Sequence, residues 1–324
     1  MKKSKNILIT LSFAIFYLAI ALFIPTNFEV VMPGVITPVE NDIVIEGVEN
    51  SSNFYTTAVL YAPRITPIMR IVLELDGRND VGEMAKYSKS ISNVDDYKMG
   101  QISKKYSYET SLINAYEEAS KVDNSISIEY DINSLVLYYR PSRLRQLKVG
   151  DIITKVNGTQ VTKANYEEVI ADAKQKEVSL TIKRNNEEFQ YDHTYEPGDY
   201  YFIFYPNIEI TSSNPKFTLP GLDNTTGGPS GGLMQSLNIY VSLLKLNFGD
   251  LKIAGTGTIN LDGSVGPIGG AVQKIHTANR ARVDIYFIAL ENHAEVISIN
   301  KNFEYYPVKN FAEAVEILRQ KTID

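Results

Sequence analysis

Residues 7–24, ILITLSFAIFYLAIALFI, carry no charge; Lys2, Lys3 and Lys5 precede them and Pro25 ends the run. As a helix rising 1.5 Å per residue, the run reaches roughly 27 Å, close to the hydrocarbon thickness of a bilayer. It predicts a transmembrane helix, so that residues 1–27 form a cytoplasmic tip and a membrane anchor. The lysines belong on the cytoplasmic side. The rest of a single-pass chain then lies on the extracytoplasmic side of the cell membrane. A cleaved signal peptide is the rival reading. Ala19-Ile20-Ala21 has small-x-small spacing, but it lies inside the apolar run rather than after it.

The 324 residues suffice for this segment and two modest globular domains. A hydrophobic content of 44% and a charged content of 22% are those of a folded chain. The net charge of −6, with no basic stripe, argues against nucleic acid as a partner. There are no cysteines, so disulfides, thiolate nucleophiles and zinc–thiolate sites are excluded. His193, His276 and His293 form no HExxH motif or close ligand pair. Neither a metal nor a cofactor is expected.

Residues 28–125 carry strand and helix signals with no visible chemistry. FYTTAVLY at 54–61 reads as a strand. Thr66-Pro67 reads as an N-cap followed by proline in the first turn, and Ile68, Ile71, Val72 and Leu75 make a helical stripe. Residues 78–100 read as polar and irregular, with a second helix near 109–121. Residues 28–125 are left without a firm assignment, packing on the C-terminal domain being one option.

Residues 126–196 read as a separate β-rich module. LKVGDIITKVNG at 147–158 gives a strand entered through Gly150 and left by an Asn157-Gly158 turn. A helix near 163–174 and a hairpin through Asn185-Asn186 follow. This order, with the string L-x-V-G-D-x-I-x-x-V-N-G, resembles a PDZ domain. The resemblance implies peptide binding by strand addition at 134–139, with Leu135, Val136 and Leu137 as binding residues. The glycine-rich carboxylate loop usual before that strand is missing, and a ligand-free spacer is the other reading. The turn at 196–199 marks the start of a last domain, 197–324.

That last domain holds the chemistry. In GGPSGGLM at 227–234, Ser230 lies between glycines just before a helical pattern. A serine there is an ordinary N-cap. The flanking glycines also let a substrate approach backbone N–H groups at a helix N-terminus, as an oxyanion requires. Gly228 and Gly231 are the glycines placed for this. A serine hydroxyl needs a base. Lys274 interrupts the small apolar stripe Ala271, Ala278 and Ala281. Burial would lower its pKa and make it a general base, but on periodicity alone a lysine snorkelling to water is the simpler reading. GPSGG also fits the nucleophile elbow of α/β-hydrolase esterases, which would need His293 as base.

The string AGTGTINLDGSVGPIGGAVQKI at 254–275 bears on this choice. With GGPSGGLM it resembles the proteolytic domain of Lon-type proteases, over residues 208–321. The resemblance implies an α+β proteolytic domain with a catalytic dyad at Ser230 and Lys274, and with Thr256 orienting the lysine. FIALEN at 287–292 resembles the family strand that ends in Glu-Asn, which makes Asn292 site-supporting or structural. Energy-dependent members have an acidic residue three before the serine, where this chain has Gly227, and no GxxxxGK[ST] loop occurs in the sequence. Anchor, PDZ-like module and Lon-like domain together resemble the membrane-anchored, ATP-independent Lon-like serine proteases. The resemblance implies protein or peptide substrates, membrane-associated or secreted, cut at exposed segments. It leaves self-association open. The alternative is a non-catalytic, membrane-anchored PDZ scaffold, against which the presence of Ser230, Thr256 and Lys274 all together argues.

Overall fold

The computed structural model describes residues 2–84, 91–222 and 228–323, with side chains from Ile9 onward. The chain opens with α1 (Lys2–Phe23), which carries the apolar run. Among the described residues no helix is long and apolar enough to cross a membrane. The run expected to do so begins at Ile7 and Leu8, whose side chains lie outside the described residues.

Next come β1 (Phe28–Pro38), the short β2 (Val44–Ile45) and β3 (Phe54–Ala62). α2 (Pro67–Glu74) follows, starting as the sequence suggests: Thr66 caps it by accepting from Met69 N, and Pro67 sits in the first turn. β4 (Asp80–Glu83) leads towards α3 (Asn93–Ser120). The 28-residue α3 begins well before the helix expected near 109–121, in a stretch read as irregular. Ser92 caps it, and Asp95 and Asp96 suit the positive end of its dipole. Its apolar residues do not form one stripe because it is buried on two sides. Leu112 and Tyr116 enter one core, whereas Ile113 enters another.

The second core belongs to β5 (Ser127–Tyr139), β6 (Ile152–Val156), β7 (Thr159–Gln160), α4 (Tyr166–Asp172), β8 (Glu177–Arg184), β9 (Glu187–Thr194) and β10 (Ile203–Asn214). Asn157, Gly158, Asn185 and Asn186 take positive φ at the two turns read from the sequence. Asp151 fixes the entry to β6. It accepts two bonds from the Arg184 guanidinium, at 2.7 and 2.6 Å, and one from Lys148 N at 2.8 Å.

Two expectations are corrected here. The sheet order is β10-β5-β6-β8-β9, so the sheet runs on past the turn at 196–199, where a boundary was expected. β10 pairs with β5 from Ser127 to Tyr139. The segment holding Leu135, Val136 and Leu137 therefore has β10 on one side and β6 on the other. Leu135 and Leu137 are fully buried in the core. With both edges already paired, no strand can add there.

The remaining elements are β11 (Phe217–Thr218), α5 (Gly232–Leu244), β12 (Ile253–Thr256), β13 (Thr258–Ile259), β14 (Val265–Gly266), α6 (Ala271–Ala281), β15 (Ile285–Ala289), α7 (His293–Val296), β16 (Glu304–Val308) and α8 (Phe311–Arg319). Of these, β12, β15 and β16 join β1, β3 and β4 in the other main sheet, of order β16-β15-β12-β3-β1-β4. β3 runs parallel to β12, with Phe54 opposite Ile253, so residues 28–83 complete the sheet formed by the C-terminal third. The β5–β10 unit is thus inserted between two parts of one sheet. Both faces are covered, as the unbroken burial of β15 requires. α3, α5 and α8 lie on one face around Phe54, Leu237, Phe287 and Leu318, while Ile275 and Ala278 of α6 pack on the other with Tyr286 and Ile288. The fold is mixed α+β.

Candidate active site

Ser230 lies in a single 3-10 turn, Pro229–Gly231, directly before α5. The N-cap reading fails here: Gly231 occupies the cap position and no side chain caps the helix. The backbone of the turn is tied from several sides. Ser230 O accepts from Gly257 N at 2.8 Å and from Thr256 Oγ1 at 3.0 Å, and Leu233 N donates to Gly257 O at 3.1 Å. From α3, Ser111 Oγ donates to Gly232 O at 3.0 Å. Glycine is needed at 232 for this approach, because a β-carbon there would lie 2.8 Å from Ile259 Cγ2. Gly228 borders open space. Gly227 lies outside the described residues.

α6 brings Lys274 to the serine. Gly270, at φ +68°, turns the chain into the helix, where a β-carbon would meet Val59 Cγ1 at 2.9 Å. Lys274 sits one turn further on, 3% exposed. Its Nζ lies 2.9 Å from Ser230 Oγ and 2.7 Å from Thr256 Oγ1. The snorkelling reading fails because the amine ends inside the fold. Burial lowers its pKa from the ordinary lysine value to about 8. Thr256 is fully buried at the end of β12 and serves both partners. Its hydroxyl donates to Ser230 O and accepts from Lys274, which uses its one proton and leaves the amine aimed at Ser230 Oγ.

Asn292 stands one step back. Its side chain accepts from Ile268 N and donates to Ile268 O, both at 2.9 Å, and it also donates to Glu295. It therefore clamps the Pro267–Gly270 segment that launches α6, without touching the Ser230–Lys274 pair. His293 is engaged elsewhere: its Nδ1 lies 3.2 Å from Tyr305 Oη, and the rings stack. The esterase reading thus lacks its base at Ser230. Among the described residues no His, Asp or Glu cluster could hold a metal ion.

Local reading of the sequence missed the groups that other elements bring to the turn. Thr56 of β3 would touch a β-carbon at Gly231, at 3.0 Å from its Cγ2. Gln235 of α5 donates to Asp42 at 3.1 Å, while its Oε1 is buried without a partner among the described residues. Burial raises the pKa of Asp42. These contacts arise from pairings between distant segments, which leave no periodic signal.

The family model of the Lon protease (S16) C-terminal proteolytic domain matches residues 147–321, more than half of the chain. The chain belongs to the Lon protease family. Its residues 147–321 correspond to that family's proteolytic domain. Relatives include Lon protease 2 of Bacillus subtilis, 33% identical over 89 residues, which are 28% of this chain and 16% of the relative. Lon protease of Buchnera aphidicola is 38% identical over 99 residues, 29% of this chain and 13% of that enzyme. Lon protease of Methanosarcina barkeri is 28% identical over 116 residues, 34% and 14% of the two chains. The matched part of this Lon-family chain thus spans less than a fifth of these relatives' length.

Proposed function

We propose that this chain is an ATP-independent serine endopeptidase with a Ser230–Lys274 dyad, anchored in the cell membrane by α1 and working on its extracytoplasmic side. The observation that carries the chemistry is the buried Lys274 amine, 2.9 Å from Ser230 Oγ and held by Thr256.

In this reading the neutral amine takes the Ser230 hydroxyl proton as Oγ bonds to the scissile carbonyl carbon. Backbone N–H groups of the Gly228–Gly231 turn hold the oxyanion. On collapse the C–N bond breaks, and the Lys274 ammonium gives its proton to the departing amine. Water then attacks the acyl-serine, with Lys274 again as base, and frees the acid and Ser230.

The anchor is supported by the uncharged run 7–24, by the lysines ahead of it, and by the exposure of Ile15, Phe16, Leu18 and Phe23 on α1. ATP independence is supported by the absence of a GxxxxGK[ST] loop in residues 1–324. In this reading cleavage uses no motor and is confined to segments already exposed and flexible. The unit from β5 to β10 is read as PDZ-like from its order of elements around LKVGDIITKVNG, and in this reading it positions substrates.

The test uses an unstructured fluorogenic peptide and a stably folded protein that contains the same sequence. The expected result is that the peptide is cut at the same rate with and without Mg·ATP while the folded protein stays intact. Cleavage that needs nucleotide would contradict the proposal.

A further inference from the structure

α2 is the amphipathic helix that the fold leaves uncovered. Its stripe of Ile68, Ile71, Val72 and Leu75 has the spacing of a core-facing surface, yet no residue of α2 is buried. Ile71 is 60%, Val72 58% and Leu75 83% exposed. Eight residues do not hold a helix in water by propensity alone. The Thr66 cap and Pro67 preset it, and its apolar face needs something to cover it.

The surroundings say what. The end of α1 is fastened to the start of α2: Thr26 N and Oγ1 both donate to Ile65 O, and Ile65 N donates to Phe28 O. The Arg70 guanidinium lies over the Phe28 ring at 3.7 Å. Phe23 and Ile24 at the end of α1 are exposed, as are Leu60 and Tyr61 at the end of β3. The apolar surface of α1 thus continues onto α2 and the open end of the β1–β3 pair, where Leu60 and Tyr61 face Met32 and Val31. The α2 charges Arg70 and Glu74 pair with each other across one turn.

We propose that α2 lies in the membrane surface, with Ile68, Ile71, Val72 and Leu75 seated among the lipid headgroups beside the exit of α1. This rests on the reading of α1 as an anchor. An in-plane helix of this kind binds through its buried apolar face. Tyr61 suits the same depth, since tyrosine favours the membrane–water interface. The seat also positions the dyad. The segment after α2 packs on the lysine-bearing helix, where Gln273 Nε2 donates to Arg78 O at 3.1 Å. The active site is then held beside the bilayer, and flexible segments close to the membrane surface become the favoured substrates.

The sequence contains no tryptophan, so single reporters are unambiguous. The full chain carrying Val72→Trp or Phe16→Trp is reconstituted into phosphatidylcholine vesicles with brominated acyl chains. The expected result is quenching of both, with Val72→Trp quenched most by bromine near the headgroups and Phe16→Trp by bromine near the bilayer centre. Leu75→Trp, at a more exposed position, repeats the test should Val72→Trp fold poorly. Quenching of Phe16→Trp without quenching at 72 or 75 overturns the α2 proposal and leaves the anchor standing; a blue-shifted, unquenched signal there would identify a second copy of the chain as the cover. An unquenched Phe16→Trp overturns the anchor and the α2 proposal together.

Discussion

Replacing Ser230 with alanine is expected to lower peptide cleavage by about 10,000-fold or more, since the attacking atom is removed. The fold should survive. Ser230 Oγ meets Lys274, whereas the turn itself is held through Ser230 O by Gly257 and Thr256. Lys274 keeps Thr256 as a partner, so the loss in stability should stay near 1 kcal/mol. Kinetics on a fluorogenic peptide, with circular dichroism on the same sample, check this. Near-parental cleavage by a folded Ser230→Ala protein would remove Ser230 from the chemistry.

Lys274→Met should have two opposite effects. Activity should fall by roughly 100- to 10,000-fold, the contribution of a positioned general base. Stability at neutral pH should rise. The folded protein binds the lysine proton with a pKa of about 8, against an ordinary value of 10.5. Between those values the unfolded chain holds more protons, so stability climbs with pH through this window and is lowest below pH 8. Keeping the amine charged inside the fold at pH 7 costs about 3 kcal/mol relative to water. Methionine fills similar space without that charge. Lost hydrogen bonds to Ser230 and Thr256 will offset part of the gain. Thermal melts should therefore favour Lys274→Met at pH 7, by a margin that shrinks towards pH 10.5. A stability difference between the two proteins that stays constant from pH 7 to pH 10.5 would mean that the amine is not desolvated.

The site was more legible in the sequence than the frame that holds it. Ser230, Thr256 and Lys274 lie in two short strings whose glycines and turns declare themselves locally. Asn292 was visible only through the family resemblance, and its clamp on Ile268 joins segments with no local pattern in common. Packing of residues 28–125 on the C-terminal domain was one option, but the strand pairing that places residues 28–83 was not legible. β3 joins the sheet of the C-terminal third by pairing with β12, and parallel pairing between such distant segments leaves no mark in the periodicity of either strand. The full length of α3 was hidden for a related reason. A helix buried between two cores shows no single apolar stripe, and its start is marked only locally, by the capping Ser92 with Asp95 and Asp96 in the first turn. Leu135, Val136 and Leu137 misled because an alternating strand looks alike at an edge and in the interior of a sheet; only the position of β10 tells them apart.

The central claim is that a neutral Lys274 activates Ser230. The pH dependence of kcat/KM for an unstructured fluorogenic peptide tests it most directly, because this ratio reports the pKa of the essential base in the free enzyme. The account predicts activity that rises about tenfold per pH unit on the acid side and levels off above about pH 8, the value at which burial sets Lys274. A flat profile from about pH 6 to 9, or a break near the ordinary histidine value of about 6.5, would contradict it.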